Sequence, residues 1–203
     1  MEKLNFAILS IFLILIILIL GVLIFEKSRP KAKDIVLVAE LSCFSICARS
    51  IFVFVPYFNP VIALLCLWGF VFGAKKGFLI GILTAFGSNM IFGQGPWTIF
   101  QCVAWSIPGF VFGLIGKTCL FEKYFWSKKE CFFAGFVVFF LVIFVVGPVM
   151  DLSSFLLGDV KNFSVLKAVL IAGFPFNLAL ALSSVLTIFL CANGIFKILK
   201  KSA

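Results

Sequence analysis

The chain has 203 residues, 64% of them hydrophobic and 12% charged, with a mean hydropathy of +1.26. A soluble domain is about 45–50% apolar and about 25% charged, so this composition excludes a soluble globular protein and leaves one integral membrane protein. The net charge of +9 is scattered between apolar runs instead of gathered in a block, which argues against a nucleic-acid partner and makes the basic residues a topology signal.

A spanning helix takes about 20 mostly apolar residues, and seven candidates follow in chain order. The first is Leu4–Phe25. Its apolar core exceeds the about 7–15 residues of a secretory signal, and no small-x-small cleavage site precedes Glu26. It is expected to be retained as an extra N-terminal transmembrane helix, joined by a basic linker that completes residues 1–30. The remaining six, within residues 31–203, are Ile35–Val55, Pro60–Gly73, Gly77–Phe92, Trp97–Gly116, Cys131–Met150 and Leu166–Phe196. The third and fourth spans are short and share the turn at Gly73–Gly77. The last is long enough to be tilted or to begin in the loop before it. The expected architecture is an all-α polytopic membrane protein.

Cytoplasmic loops carry an excess of Lys and Arg. One set of loops holds Lys27, Arg29, Lys31, Lys33, Lys75, Lys76, Lys117, Lys123, Lys128, Lys129, Lys197, Lys200 and Lys201. The alternate set holds only Lys3, Lys161 and Lys167. This bias predicts a cell-membrane protein with a cytoplasmic C-terminus and, with seven spans, an extracellular N-terminus. The outer loops are then 55–60, 92–97 and 151–164.

Charges and amides inside such a chain need a reason, because a charge at the centre of a span costs about 2.5–3.5 kcal/mol on insertion scales. Glu40 and Arg49 lie nine positions apart in the second span, on opposite helix faces at about 100° per residue, so they are not expected to pair. Arg49, nearer the outer end, either snorkels to the interface or faces a pocket. Ala39, Cys43 and Cys47 repeat at i, i+4, i+8. Small residues at that spacing admit another helix, either one of this chain or that of a separate membrane subunit.

The densest polar stretch is S-N-M-I-F-G-Q-G-P-W-T-I-F-Q-C-V-A-W, residues 88–105. Asn89 closes the fourth span. Gln94 lies in the loop, and Trp97, Gln101 and Trp105 share one face of the fifth span at i, i+4 spacing. Tryptophan at a membrane interface is also a common belt residue, which suits Trp97 better than the deeper Trp105. Asn177, just after Pro175, adds an amide in the last span. Asn59 sits on the first outer loop with Tyr57, a weaker candidate that fits an interface anchor. Uncharged amides beside indoles suit a neutral or multi-amide ligand with a flat apolar face.

Catalytic chemistry has little support. The chain lacks histidine, which removes His-based metal sites and triads. It has no P-loop. Its seven cysteines show no C-x-x-C pairing and lie mostly inside apolar runs, as small packing residues do. No cluster has catalytic spacing, so the protein is not expected to be an enzyme, to hold a metal or to carry a cofactor of its own.

Four runs carry a family resemblance: A-R-S-I-F-V-F-V-P-Y-F-N-P-V-I-A-L at 48–64, G-F-V-F-G-A-K-K-G-F-L-I-G at 69–81, S-N-M-I-F-G-Q-G-P-W-T-I-F-Q at 88–101, and G-F-V-F-G-L-I-G at 109–116. Together they resemble the substrate-binding S component of energy-coupling factor (ECF) transporters, nearest to the cobalamin type. The likeness is strong over about residues 30–116 and rests on hydropathy and length beyond. It implies a six-helix core that captures a vitamin from outside, here cobalamin as the transported ligand. It also implies docking on a transmembrane coupling subunit with two cytoplasmic ATPases. Carried over, the ligand pocket maps to Asn59, Asn89, Gln94, Trp97, Gln101, Trp105 and Asn177, with Arg49 added from its position. The docking stripe maps to Ala39, Cys43 and Cys47. The sequence departs from the family at Ile99, Phe100 and Cys102, at Glu40 in the docking helix, and in its extra first helix. Another vitamin or small molecule is the alternative ligand. A stand-alone carrier is the alternative class, which would predict acidic or histidine relays in the spans; only Glu40 qualifies.

Overall fold

In a bilayer every backbone polar group must be satisfied within its own segment, so apolar runs of this length fold as helices. The computed structural model describes residues 2–27, 29–55, 58–118, 125–160 and 162–202, and these are helical with no strand among them. The helices are α1 Glu2–Lys27, α2 Ala32–Phe52, α3 Val61–Phe72, α4 Ala74–Phe92, α5 Trp97–Ile115, α6 Lys128–Leu157 and α7 Phe163–Ser202. Among the described residues four helices, α2, α5, α6 and α7, are long and apolar enough to cross a membrane.

The short helix α3 sits at the centre, with every residue from Val61 to Val71 buried. A helix that is apolar all round belongs in a core, and α3 packs against α4, α5, α7 and α2. Its approach to α4 and α5 runs backbone to backbone. A Cβ on Gly69 or on Gly77 would collide with the carbonyl of Gly109, and one on Gly81 would collide with the backbone of Trp105 and Ser106. The glycines of the third, fourth and fifth spans thus form one seam. The turn between α3 and α4 is a single residue, Gly73 at φ 92, a conformation that disfavours any side chain. Helix α4 already starts at Ala74, so the expected G-A-K-K-G turn is shorter than the sequence suggests.

Three local devices fix the end of the bundle where α2 and α6 begin. Asn193 of α7 clamps the backbone of Trp126, accepting from its N–H at 2.8 Å and donating to its carbonyl at 2.9 Å. Trp126 is thereby buried edge-on against Phe70 and Phe196, with centroids 4.8 and 4.9 Å away. Ser127 and Glu130 then cap α6 reciprocally. At the start of α2, Asp34 accepts from the Lys31 N–H and pairs with Lys76 of α4 at 2.6 Å.

Helix α6 differs most from expectation. Hydropathy predicts a sixth span at Cys131–Met150 with an outer loop from 151, but the helix continues to Leu157 and ends at the extended Gly158. The run L-S-S-F-L-L keeps its backbone ladder, and the Ser153 hydroxyl folds back on the Met150 carbonyl at 2.6 Å. Within α6, residues Val142–Val146 form a π-helical turn, which places one extra residue in the helix just before Gly147 and Pro148. The last helix starts at Phe163, three residues before the predicted Leu166.

The exterior is apolar to a degree unusual for a protein facing water. Phe44, Phe132, Phe136, Phe144, Ile171 and Leu190 are all exposed. Such a surface fits a membrane-embedded bundle.

Candidate functional site

The site is built at the end of the bundle where α2 finishes and α5 begins. Arg49, in the last turn of α2, reaches α4, where its Nη1 donates to Ser88 Oγ and to Asn89 Oδ1, the latter at 3.0 Å. Its Cζ lies 4.8 Å from the Phe92 ring centre and 4.9 Å from that of Trp105. A guanidinium in an apolar bundle is thus held by two hydrogen bonds and two aromatic faces.

Asn89 links this anchor to α5. It is 2% exposed, and its Nδ2 donates to Gln101 Oε1 at 2.8 Å and Thr98 Oγ1 at 3.0 Å. Thr98 in turn donates to Gln94 Oε1 at 2.9 Å, and Gln94 Nε2 closes on the Phe86 carbonyl at 3.1 Å. The amides predicted as ligand contacts therefore form a continuous network joining Arg49 to the loop. Gln101, whose carbonyl is taken by Asn89, also lines the space beside it.

That space is a cavity of about 700 Å³. Arg49, Trp97, Gln101 and Trp105 form one side of its lining, and Met150, Asp151, Ser154, Phe176, Asn177 and Leu180 of α6 and α7 form the other. Trp97 is 44% exposed, while Trp105 is buried beneath it. Five of the eight predicted ligand residues, Arg49, Trp97, Gln101, Trp105 and Asn177, thus line one cavity. Arg49 faces this space rather than lying free at the surface.

The other three stand elsewhere. Asn89 is behind the wall, sealed by its three hydrogen bonds. Gln94 is in the exposed loop, with both ends of its amide engaged. Asn59 lines a second cavity of about 300 Å³ that shares Arg49, Phe176 and Leu180 with the first. Its Oδ1 accepts from the Val61 N–H at 3.0 Å and its carbonyl accepts from Ser183 Oγ at 3.0 Å, which ties the start of α3 to α7. Tyr57 lies outside the described residues.

Sequence reasoning missed Asp151, Phe176 and the serines of α6. Asp151 Oδ2 accepts from Asn177 Nδ2 at 2.7 Å. The available signal is an acidic residue abutting an apolar run, which reads as the start of a loop because the π turn and the extra helical turns after it leave no mark in composition.

On the opposite side of α2, Ala39, Cys43 and Cys47 are exposed, and so is Glu40. The small-residue stripe is therefore an exposed face of α2 among the described residues. Among the described residues no group of three His, Cys, Asp or Glu side chains converges.

The chain matches no protein-family model, no curated protein and no solved structure.

Proposed function

We propose that this protein is the substrate-binding subunit of an ECF-type importer, which takes a vitamin from the outer face and releases it inside when docked to an ATP-driven coupling module. The observation that carries this reading is the convergence of Arg49, Trp97, Gln101, Trp105 and Asn177, from three helices, on one cavity. Its volume falls in the range of about 300–1,000 Å³ typical of small-molecule sites, and its lining mixes apolar surface with a few placed polar groups, as such sites do. In this reading the basic loop ends face the cytoplasm, the cavity opens outward, α2–α7 form the six-helix core and α1 is an addition to it.

Cobalamin is the leading ligand. Its corrin ring offers a flat apolar face to Trp97 and Trp105, and the amides around the ring match Gln101 and Asn177. A ligand of that size extends from the larger cavity into the smaller one, across Arg49. The exposed stripe of Ala39, Cys43 and Cys47 is the docking face for the coupling subunit, since it is open and carries little bulk.

The test is calorimetric titration of cyanocobalamin into detergent-purified protein beside the Gln101→Ala, Asn177→Ala double variant. Binding by the wild type that weakens at least about tenfold in the variant, a difference of about 1.4 kcal/mol, supports both ligand and pocket. Equal binding by the two proteins keeps the ligand and removes this pocket. The absence of heat from folded wild-type protein removes cobalamin.

A further inference from the structure

Among the described residues Asp151 is the one acidic side chain that lines the large cavity, and three features of the fold serve its placement. The first is space. Gly173 of α7 stands against the Asp151 carboxylate, and a Cβ there would overlap it. Gly147 of α6 stands in the same way against the side-chain amide of Asn177. Each helix thus carries a glycine where the other presents its polar group. The second is orientation, because Asn177 Nδ2 holds Oδ2 at 2.7 Å and no described residue donates to Oδ1. The third is register. One extra residue in the π turn Val142–Val146 rotates everything after it by about 100° relative to an uninterrupted helix, and Asp151 lies within that rotated segment.

No described cation pairs with Asp151. Arg49, the basic residue lining the same cavity, commits its Nη1 to Ser88 and Asn89. Asn177 satisfies Oδ2, and Oδ1 is open to a donor that arrives from the cavity Asp151 lines.

We propose that Asp151, oriented by Asn177, is the acceptor that reads the ligand: it takes an N–H donor group, carboxamide or ammonium, and rejects an anionic group at that place. The proposal rests on the ligand-capture reading above and narrows its ligand class to neutral or cationic molecules rich in N–H groups.

The experiment has two arms. In the first, cyanocobalamin and its monocarboxylic acids, in which one peripheral carboxamide is replaced by carboxylate, are titrated into wild type and Asp151→Asn. Asparagine keeps the shape and still accepts from Asn177. At least one acid is expected to bind the wild type about tenfold or more weaker than cyanocobalamin, with the discrimination lost in the variant. Equal binding of all the acids by the wild type, or discrimination unchanged in the variant, overturns the proposal while leaving the capture reading intact. The second arm needs no vitamin. Trp97 is 44% exposed while Trp68, Trp105 and Trp126 are 4% exposed or less, so tryptophan quenching reports on the cavity mouth. The ratio of quenching by 1-methylnicotinamide, a cation with a carboxamide, to quenching by neutral acrylamide is expected to fall about twofold in Asp151→Asn. If cyanocobalamin does not bind at all, the capture reading loses its leading ligand and this ratio decides the Asp151 proposal: a fall supports it, and an unchanged ratio overturns it.

Discussion

Asn89 carries more of the site than its single amide suggests. It accepts from Arg49 and donates to Thr98 and Gln101, so it uses its carbonyl and both amide hydrogens at 2% exposure. An isosteric leucine removes one of the two acceptors of the guanidinium and strands the Gln101 carbonyl. Leaving a buried polar partner unsatisfied costs about 1–3 kcal/mol, so Asn89→Leu is expected to lower the thermal unfolding midpoint in detergent and to weaken ligand binding without touching the ligand. Gln94→Ala, in the exposed loop, is expected to change stability by less than about 1 kcal/mol, well below Asn89→Leu. Asn193→Leu removes both bonds to the Trp126 backbone at the far end of the bundle. It is expected to destabilise by about 1–3 kcal/mol while leaving ligand affinity unchanged, which separates stability from binding in the same pair of assays.

The π turn and the glycine seam are the two devices that matter among the elements. Deleting Val145 converts the π turn to regular helix and rotates the following residues by about 100°. The variant is expected to keep its helical circular dichroism and to lose binding, because Asp151 and Ser154 leave the cavity wall. Retained binding would show that α6 supplies no ligand contact. The seam of Gly69, Gly77 and Gly109 admits no side chain, since the opposing atoms are backbone. Overpacking costs about 1–3 kcal/mol when side chains can yield, and occasionally more. Gly109→Leu is therefore expected to prevent stable folding, read as loss of the monodisperse peak in size-exclusion chromatography. The spans on either side of this seam were legible from hydropathy, whereas its contacts were visible only as an excess of glycine. The end of α6 was not legible, because a helix that stops at 150 and one that stops at 157 have nearly the same composition.

The whole molecule divides into two sectors of different character. The α3–α4–α5 core is packed through backbone contact, while the cavity lies between that core and the α6–α7 pair. In the proposed importer, a ligand bridging the two sectors stabilises the fold by RT ln(1 + [L]/Kd), about 2.7 kcal/mol at one hundred times Kd, a gain expected as a raised unfolding midpoint with cyanocobalamin. The docking face is tested separately. Cys43→Trp places bulk on the exposed stripe of α2, away from the cavity. It is expected to abolish co-purification with a coupling module and vitamin uptake by cells while leaving binding by the isolated subunit unchanged. Uptake at the wild-type rate would remove the stripe from the docking interface.

The order of the amino acids determined by itself that this is an all-helical chain with long apolar helices, and it marked residues 88–105 as the place where polar groups concentrate. Both follow from transfer free energy, which depends on residue type and span length and needs no knowledge of neighbours. Only the tertiary structure decided which amides face the cavity and which brace it. Asn89 and Gln101 differ little as local sequence signals, yet one is sealed behind three hydrogen bonds and the other lines the space. Tertiary packing alone also brought Asp151 and Asn177 together across 26 positions. That pairing depends on the rotation of α6 at its π turn and on two glycines that face the opposing side chains. Rotation and clearance are properties of two packed surfaces, and neither surface is written in the chain that forms only one of them.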